Sequence, residues 1–495
     1  MRSAGVLAHI SSLPARHGIG TIGAPAHRFA QDLANAGQGW WQMLPVGPTG
    51  YRDSPYQSPS TFAGNPLLID LDGLVTDGWL RQEEVGDLMG LPGDRVDFGA
   101  LIPIKTRLLT LAAGRFLGAG SDPGYEEFRH TEWLDEYSLF AALKQVHDGR
   151  PWVDWEEPLA LRQPEALARA ADRLMGKIEV ERTIQYLFKR QWDELQRHCA
   201  SLGIGLIGDL PIFVAHDSAD VWAAPELFHL DGGGHPTVVA GVPPDYFTAT
   251  GQRWGNPLYR WDAHIGDGFR WWSRRLAAAL SMFDMLRIDH FRGFVAFWEI
   301  PADESTAING RWVEGPGAEL FGSLGLARLP IIAEDLGIIT DDVTNLRRQF
   351  GFPGMRVAQF GFDEELDTAI HHPSNYTEDV VAYTGTHDND TTVGWFWGDN
   401  PKHDRRRLNR RRRGLLAELG TKGEEINWDM IGLVHASRAR LGVVPAQDLL
   451  GLGSEARMNT PGLEEGNWTW RMLAPLPEEA VHRLGIITKE AGRSA

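Results

Sequence analysis

The sequence predicts an α/β fold, a (β/α)8 TIM barrel with largely helical insertions. Two observations predict it. Eight short apolar runs recur, each closing on polar, Gly or Pro residues. Helix-period segments fill most of the intervals between them, as in HRFAQDLANAG from His27.

The runs are read as buried parallel strands. They begin at Gly5 (GVLAHI), Trp40 (WWQMLPV), Gly203 (GIGLIGDLPI) and Met285 (MLRIDHF). Four more begin at Leu329 (LPIIAEDLG), Met355 (MRVAQFGF), Val380 (VVAYTGTHD) and Leu441 (LGVVPAQDLLG). Eight strand–helix units favour a closed barrel over an open doubly wound sheet. The spacing is uneven. Residues 47–202 read as a mainly helical insertion between strands two and three, and 214–284 as a second insertion between strands three and four. No long Ser/Gly or Pro linker interrupts the chain, so 1–495 is read as one catalytic barrel with embedded subdomains.

Bulk composition excludes some partners. The 495 residues carry a formal charge of −18, whereas a nucleic-acid or anionic-lipid surface calls for a basic field. The segment DRRRLNRRRRG from Asp404 is read as a solvated helix face inside an acidic protein. The single cysteine, Cys199, allows no internal disulfide and is expected to be a buried, inert thiol, consistent with a reducing cytoplasm. The N-terminal apolar run is short and holds His9, so no signal peptide is expected. No apolar stretch of about 18 residues suggests a membrane span.

Polar residues at the run ends define the candidate site. Strand three ends on Asp209, strand four on Arg287, Asp289 and His290, and strand five on Glu334 and Asp335. Strand seven ends on His387, Asp388 and Asp390, and strand eight on Gln447 and Asp448. Such a cluster suits either an oxygen-ligand metal site or glycoside chemistry with one ionised and one protonated carboxyl. The strand-four arrangement favours the second. Arg287 precedes Asp289 by two residues, so both side chains share a strand face and the guanidinium keeps the carboxylate ionised, as a nucleophile requires. A proton donor at Glu334 needs the opposite, a desolvated pocket or a carboxylate neighbour. Taken singly, each carboxylate could be a structural ion-pair partner; five strands at once are harder to explain that way.

Several stretches then carry a resemblance. HISSLPARHGIGTIG, DSPYQSPSTFAGNPLLID, GDLPIFVAHDSADVW, AGVPPDYFTATGQRWGNPLYRW, RIDHFRGF, AEDLG, TGTHDNDT and ARMNTPG resemble, in order and spacing, the amylomaltases. These are 4-α-glucanotransferases related to the α-amylases. The resemblance covers essentially the whole chain. It implies Asp289 as nucleophile, Glu334 as acid/base and Asp388 as the third carboxylate gripping sugar hydroxyls. It places Arg287, His290 and His387 along the same subsite and matches Asp209 to the family's first barrel motif. Tyr56, Trp254 and Asn459 would contact sugars, and Asp245, Tyr246 and Phe247 would lie on a loop arching over the cleft. Arg253 stands where a neutral residue is expected, so acceptor-side contacts are expected to differ.

The implied reaction transfers α-1,4-glucan segments to a 4-hydroxyl with retention, by double displacement between carboxyls roughly 5–5.5 Å apart. The implied partners are maltooligosaccharides, amylose and glucose, with no nucleic acid and no membrane. Transfer over hydrolysis requires an oriented acceptor and a shielded site. Most of the nineteen Trp are read as core, with Trp254 as the exception. No nicotinamide, phosphate-loop or zinc signature occurs, so no cofactor is expected. The rival readings are an α-amylase-type hydrolase, a metal-dependent barrel isomerase and a non-catalytic glucan-binding protein.

Overall fold

The computed structural model describes residues 2–120, 122–244, 248–325, 329–362, 368–398 and 405–495. The strands in chain order are β1 (Ser3–Leu7), β2 (Trp40–Gln42), β3 (Gly205–Pro211), β4 (Val238–Val242), β5 (Gln252–Pro257) and β6 (Met285–Asp289). They continue as β7 (Ala296–Pro301), β8 (Arg311–Glu314), β9 (Ile331–Ala333), β10 (Gly354–Val357), β11 (Val380–Tyr383) and β12 (Leu441–Pro445). Eight of these close a parallel barrel in the order β1-β12-β11-β10-β9-β6-β3-β2. Each apolar run of the sequence overlaps one barrel strand, as the sequence predicts.

Alternation along a strand explains how the barrel positions its chemistry. Every second residue faces inward. Leu7, Ile207, Ile332, Met355, Val381, Tyr383, Leu441 and Val443 form one buried cluster drawn from the barrel strands, with Met285 packed against it. Two residues further along the same inward faces, the side chains become charged. Ile207 is followed by Asp209, Met285 by Arg287 and then Asp289, and Ile332 by Glu334. The strands are shorter than the apolar runs because their polar ends leave the ladder. After β12 the chain turns into the short helix Ala446–Leu449, and after β1 into the 3-10 turn Ile10–Ser12.

The interval between β2 and β3 contains the helices Phe98–Gly118, Leu134–Val146 and Pro164–Ser201. In the 38-residue helix Pro164–Ser201, Ala166, Ala170, Leu174, Ile178, Glu181, Gln185, Phe188, Trp192, Leu195 and Cys199 are buried at spacings of three and four. Gln185 belongs in that stripe because its amide pairs with both the N–H and the carbonyl of Gly64. Cys199 is buried and its thiol is pushed up to about 12 by desolvation, which makes it a poor nucleophile.

A four-stranded antiparallel sheet, β5-β4-β7-β8, lies beside the barrel mouth. It joins two strands from the β3–β6 interval to two that follow β6. The β7–β8 pair carries little periodic signal of its own, and β4 is flanked by β5 and β7. The arginine-rich segment forms the helix Arg405–Leu419. It is not solvated throughout: Arg411 lies over the Trp395 ring at 4.4 Å and Arg412 over Phe396 at 6.0 Å. Among the described residues no helix is long and apolar enough to cross a membrane.

The C-terminus is tied under the barrel by Arg493. Its side chain is fully buried and donates to the carbonyls of His435 (2.6 Å), Ser437 (2.9 Å) and Ser3 (3.0 Å). Arg493→Ala leaves three carbonyls short of a donor. The expected outcome is a loss of about 2–5 kcal/mol, read as a lower Tm in scanning calorimetry, with Arg493→Lys recovering part of it. An unchanged Tm contradicts this role.

Candidate active site

The site begins with Arg287, on the inward face of β6. Its Nη1 donates to both carboxylate oxygens of Asp209 at 2.7 Å, across the β3–β6 pairing that sets Asp209 beside Arg287. Its Nη2 donates to Asp289 Oδ1 at 2.7 Å. Burial works against the Arg287 charge, but Asp209 and Asp289 outweigh it and raise its pKa well above the ordinary value. The guanidinium fork is the right shape for this task, because its fixed donors reach two carboxylates at once.

The network continues to the other side of the mouth. Tyr56 Oη donates to Asp209 Oδ2 at 2.8 Å and lies 2.9 Å from His387 Nε2. Burial, then the Asp209 charge, raises the phenol pKa well above its ordinary value, so Tyr56 keeps its proton. That one proton points at Asp209, so His387 Nε2 is the donor toward Tyr56. The same Nε2 is 3.3 Å from Asp388 Oδ2. Asn459 Nδ2 donates to Asp388 Oδ1 at 2.6 Å, and the Asn459 N–H donates to the His387 carbonyl at 3.1 Å.

Glu334 sits just past β9, next to the end of β6. Its Oε2 accepts the backbone N–H of His290 at 2.7 Å and its Oε1 that of Leu336 at 2.8 Å. His290 adopts a left-handed conformation (φ 54°) at the turn that follows β6, a costly geometry for a non-glycine residue. The turn aims its N–H at Glu334. Burial first, then the Asp289 charge, raises the Glu334 pKa to about 7, against the opposing pull of Arg287 and the two N–H groups. Asp289 and Glu334 are therefore neighbours in different surroundings, one on a guanidinium and one in a desolvated corner.

The His290 ring is neutral near pH 7, because burial lowers its pKa to about 4. Trp254, on β5, meets it edge-on at a ring separation of 4.8 Å. The Trp254 N–H donates to Gln252 Oε1 at 3.1 Å, so Gln252 and Trp254 share a strand face. Arg253, between them, lies on the opposite face and donates to the Ala302 carbonyl at 2.9 Å. Strand alternation thus turns Arg253 away from Trp254 and His290.

The structure brings Tyr56, Asp209, Arg287, Asp289, His290, Glu334, His387, Asp388, Asn459 and Trp254 to one mouth. Asp245, Tyr246 and Phe247 lie outside the described residues. Three carboxylates grouped with the site by the sequence are structural instead. Asp335 accepts the Met355 N–H and pairs with Arg347 and Arg356. Asp448 accepts from Thr384 Oγ1 and from the N–H and hydroxyl of Thr392. Asp390 accepts from Ser454 Oγ. Asp335 comes one residue after Glu334 and so points to the opposite side, and Asp448 lies in the helix Ala446–Leu449 rather than on a strand end.

Two residues at the site escaped the sequence reading. Trp468, at φ 65°, packs against Tyr56 (5.6 Å) and His387 (6.0 Å). Arg457 donates to the Asp388 and Asn459 carbonyls. Arg457 lies within the quoted stretch ARMNTPG, so its signal was available; Trp468, in GNWTW, had none beyond its Gly/Asn neighbours.

Comparison with known proteins identifies the family. The family described as 4-alpha-glucanotransferase matches residues 8–476. The chain is 50% identical over 484 residues to a 4-alpha-glucanotransferase of Thermus thermophilus, with 95% of each chain covered. It is 42% identical to a chloroplastic/amyloplastic 4-alpha-glucanotransferase of Solanum tuberosum, covering 95% of this chain and 82% of that one. The amylomaltase from Streptococcus agalactiae, solved in complex with acarbose, superposes with a TM-score of 0.95 at 37% identity over 100% of both chains. The chain belongs to the 4-alpha-glucanotransferase family, the amylomaltases.

Proposed function

We propose that Asp289 and Glu334 carry out the 4-alpha-glucanotransferase reaction of this family by retaining double displacement. The observation that carries this reading is the contrast between the two carboxyls. Asp289 Oδ1 is held 2.7 Å from the Arg287 guanidinium, which fixes the attacking carboxylate in place. Glu334 is buried beside that anion and holds its proton up to about pH 7, which suits a general acid. Glu334 protonates the glycosidic oxygen as Asp289 attacks the anomeric carbon and the donor's reducing-end piece departs. A β-glycosyl-enzyme results. The 4-hydroxyl of glucose or another glucan enters, Glu334 takes its proton, and the C–O bond to Asp289 breaks. Two inversions leave the α-configuration unchanged.

Asp388, held by Asn459 and facing His387, grips the hydroxyls of the sugar undergoing attack. Tyr56 supports this grip from Asp209 and His387. Trp254 offers an aromatic face beside His290 for the acceptor. The substrates are maltooligosaccharides and amylose as donors, with glucose or a glucan end as acceptor, and the site of action is the cytoplasm.

Product analysis on maltotriose tests the reaction. Glucose together with chains longer than maltotriose is the expected outcome; only shorter sugars would mean hydrolysis. Asp289→Asn is expected to lower kcat by about 10⁴-fold or more, and activity near that of the unaltered enzyme would sink the assignment.

The pH dependence follows from Glu334. Its raised pKa means that the proton is present below about pH 7 and lost above it. The acid form is the active one, so kcat/KM is expected to fall on the alkaline side with a midpoint about pH 7. A flat profile from pH 6 to about pH 9 contradicts the role.

Arg287→Lys replaces a two-pronged donor with a point charge. The expected result is a kcat lower by about 10²-fold with KM little changed, because Asp289 is then no longer fixed. Steady-state kinetics on maltotriose checks it, and a loss confined to KM argues against it.

A further inference from the structure

We infer that Arg457 is a positioning residue for Asp388, clamping the loop after β11 to the loop after β12 without touching the carboxylate it positions. The inference rests on Asp388 being the third carboxylate of the site.

The two loops meet edge to edge. The Asn459 N–H donates to the His387 carbonyl at 3.1 Å, and Asn459 Nδ2 to Asp388 Oδ1 at 2.6 Å. Arg457 bridges the same two residues through their backbones. Its Nη2 donates to the Asp388 carbonyl at 2.5 Å and its Nε to the Asn459 carbonyl at 2.7 Å. Nε and one Nη lie along a single edge of a rigid guanidinium, so the two carbonyls are held at a fixed spacing. Asp388 is anchored at three points: its N–H to Thr386 Oγ1 at 3.3 Å, its carbonyl to Arg457 and its carboxylate to Asn459. Only Oδ2 is left toward His387 Nε2, at 3.3 Å.

A carboxylate that grips sugar hydroxyls matters most when those hydrogen bonds strengthen, at the oxocarbenium-like transition state. Misplacement therefore shows in kcat more than in KM. Arg457 fixes both the backbone of Asp388 and the residue that holds its Oδ1, so losing it loosens the grip from two directions at once.

The test compares Arg457→Ala, Asn459→Ala, the double variant and Arg457→Lys in maltotriose disproportionation. Arg457→Ala is expected to lower kcat by about 10²-fold with KM little changed. Added ethylguanidinium ion restores part of that loss in Arg457→Ala and none in Asn459→Ala. The double variant is expected to be only slightly worse than Asn459→Ala alone. Three outcomes would overturn the inference: unchanged kcat in Arg457→Ala, losses that multiply in the double variant, or no response to ethylguanidinium. If the alanine variant does not fold, Arg457→Lys carries the kinetic arms: an intermediate kcat supports the clamp, and full activity overturns it. Asp388→Asn separates the two levels. Full activity there removes the underlying assignment. An inactive Asp388→Asn beside an unaffected Arg457→Ala removes only the clamp.

Discussion

The buried Arg287 guanidinium, forked between Asp209 and Asp289, is the interaction on which the rest of the site depends. Two carboxylates at the end of a closed barrel would repel and be poorly solvated. The fork joins them at 2.7 Å on each side. Asp209 in turn holds Tyr56, and Tyr56 holds His387. One cation thus fixes the relative position of side chains from β3, β6, the loop after β2 and the loop after β11. A buried pair of this kind adds little net stability, since desolvation offsets much of the attraction. Its value here is geometric: each member has one place to go.

The same cation sets up the difference between the surroundings of Asp289 and Glu334. Arg287 contacts Asp289 directly and reaches Glu334 only as a weaker, opposing influence. Glu334 responds instead to burial and to the anion beside it. Two backbone N–H groups fix its oxygens without neutralising it. One of them comes from His290, whose left-handed backbone is an energetic concession to this geometry. The residue after Asp289 is thus shaped by the seat of Glu334, which couples the ends of β6 and β9.

The antiparallel sheet beside the mouth adds an aromatic surface next to His290. Trp254 reaches His290 because β5 is paired into a sheet and because alternation sends Gln252 and Trp254 one way and Arg253 the other. An aromatic face set by a paired strand is better defined than one on a free loop.

The sequence by itself determined the barrel, its eight strands and the identity of the residues on their inward faces. Burial on both sides forces continuous apolar runs, and period-two alternation places Arg287 and Asp289 on one face wherever the strand lies. It also made Glu334 and Asp388 legible as strand-end carboxylates. Only the tertiary structure decided which strand-end carboxylates work together. Asp335, Asp390 and Asp448 have the same local appearance as their neighbours, yet each is committed to partners from distant segments, such as Arg347 and Arg356 for Asp335 and Thr384 for Asp448. The β7–β8 strands, the direction of Arg253, the place of Trp468 and the reach of Arg457 were likewise settled by packing. The physical reason is that alternation and hydrophobic period are properties of a few adjacent residues, whereas a hydrogen-bond partner is fixed by chain elements far apart in sequence.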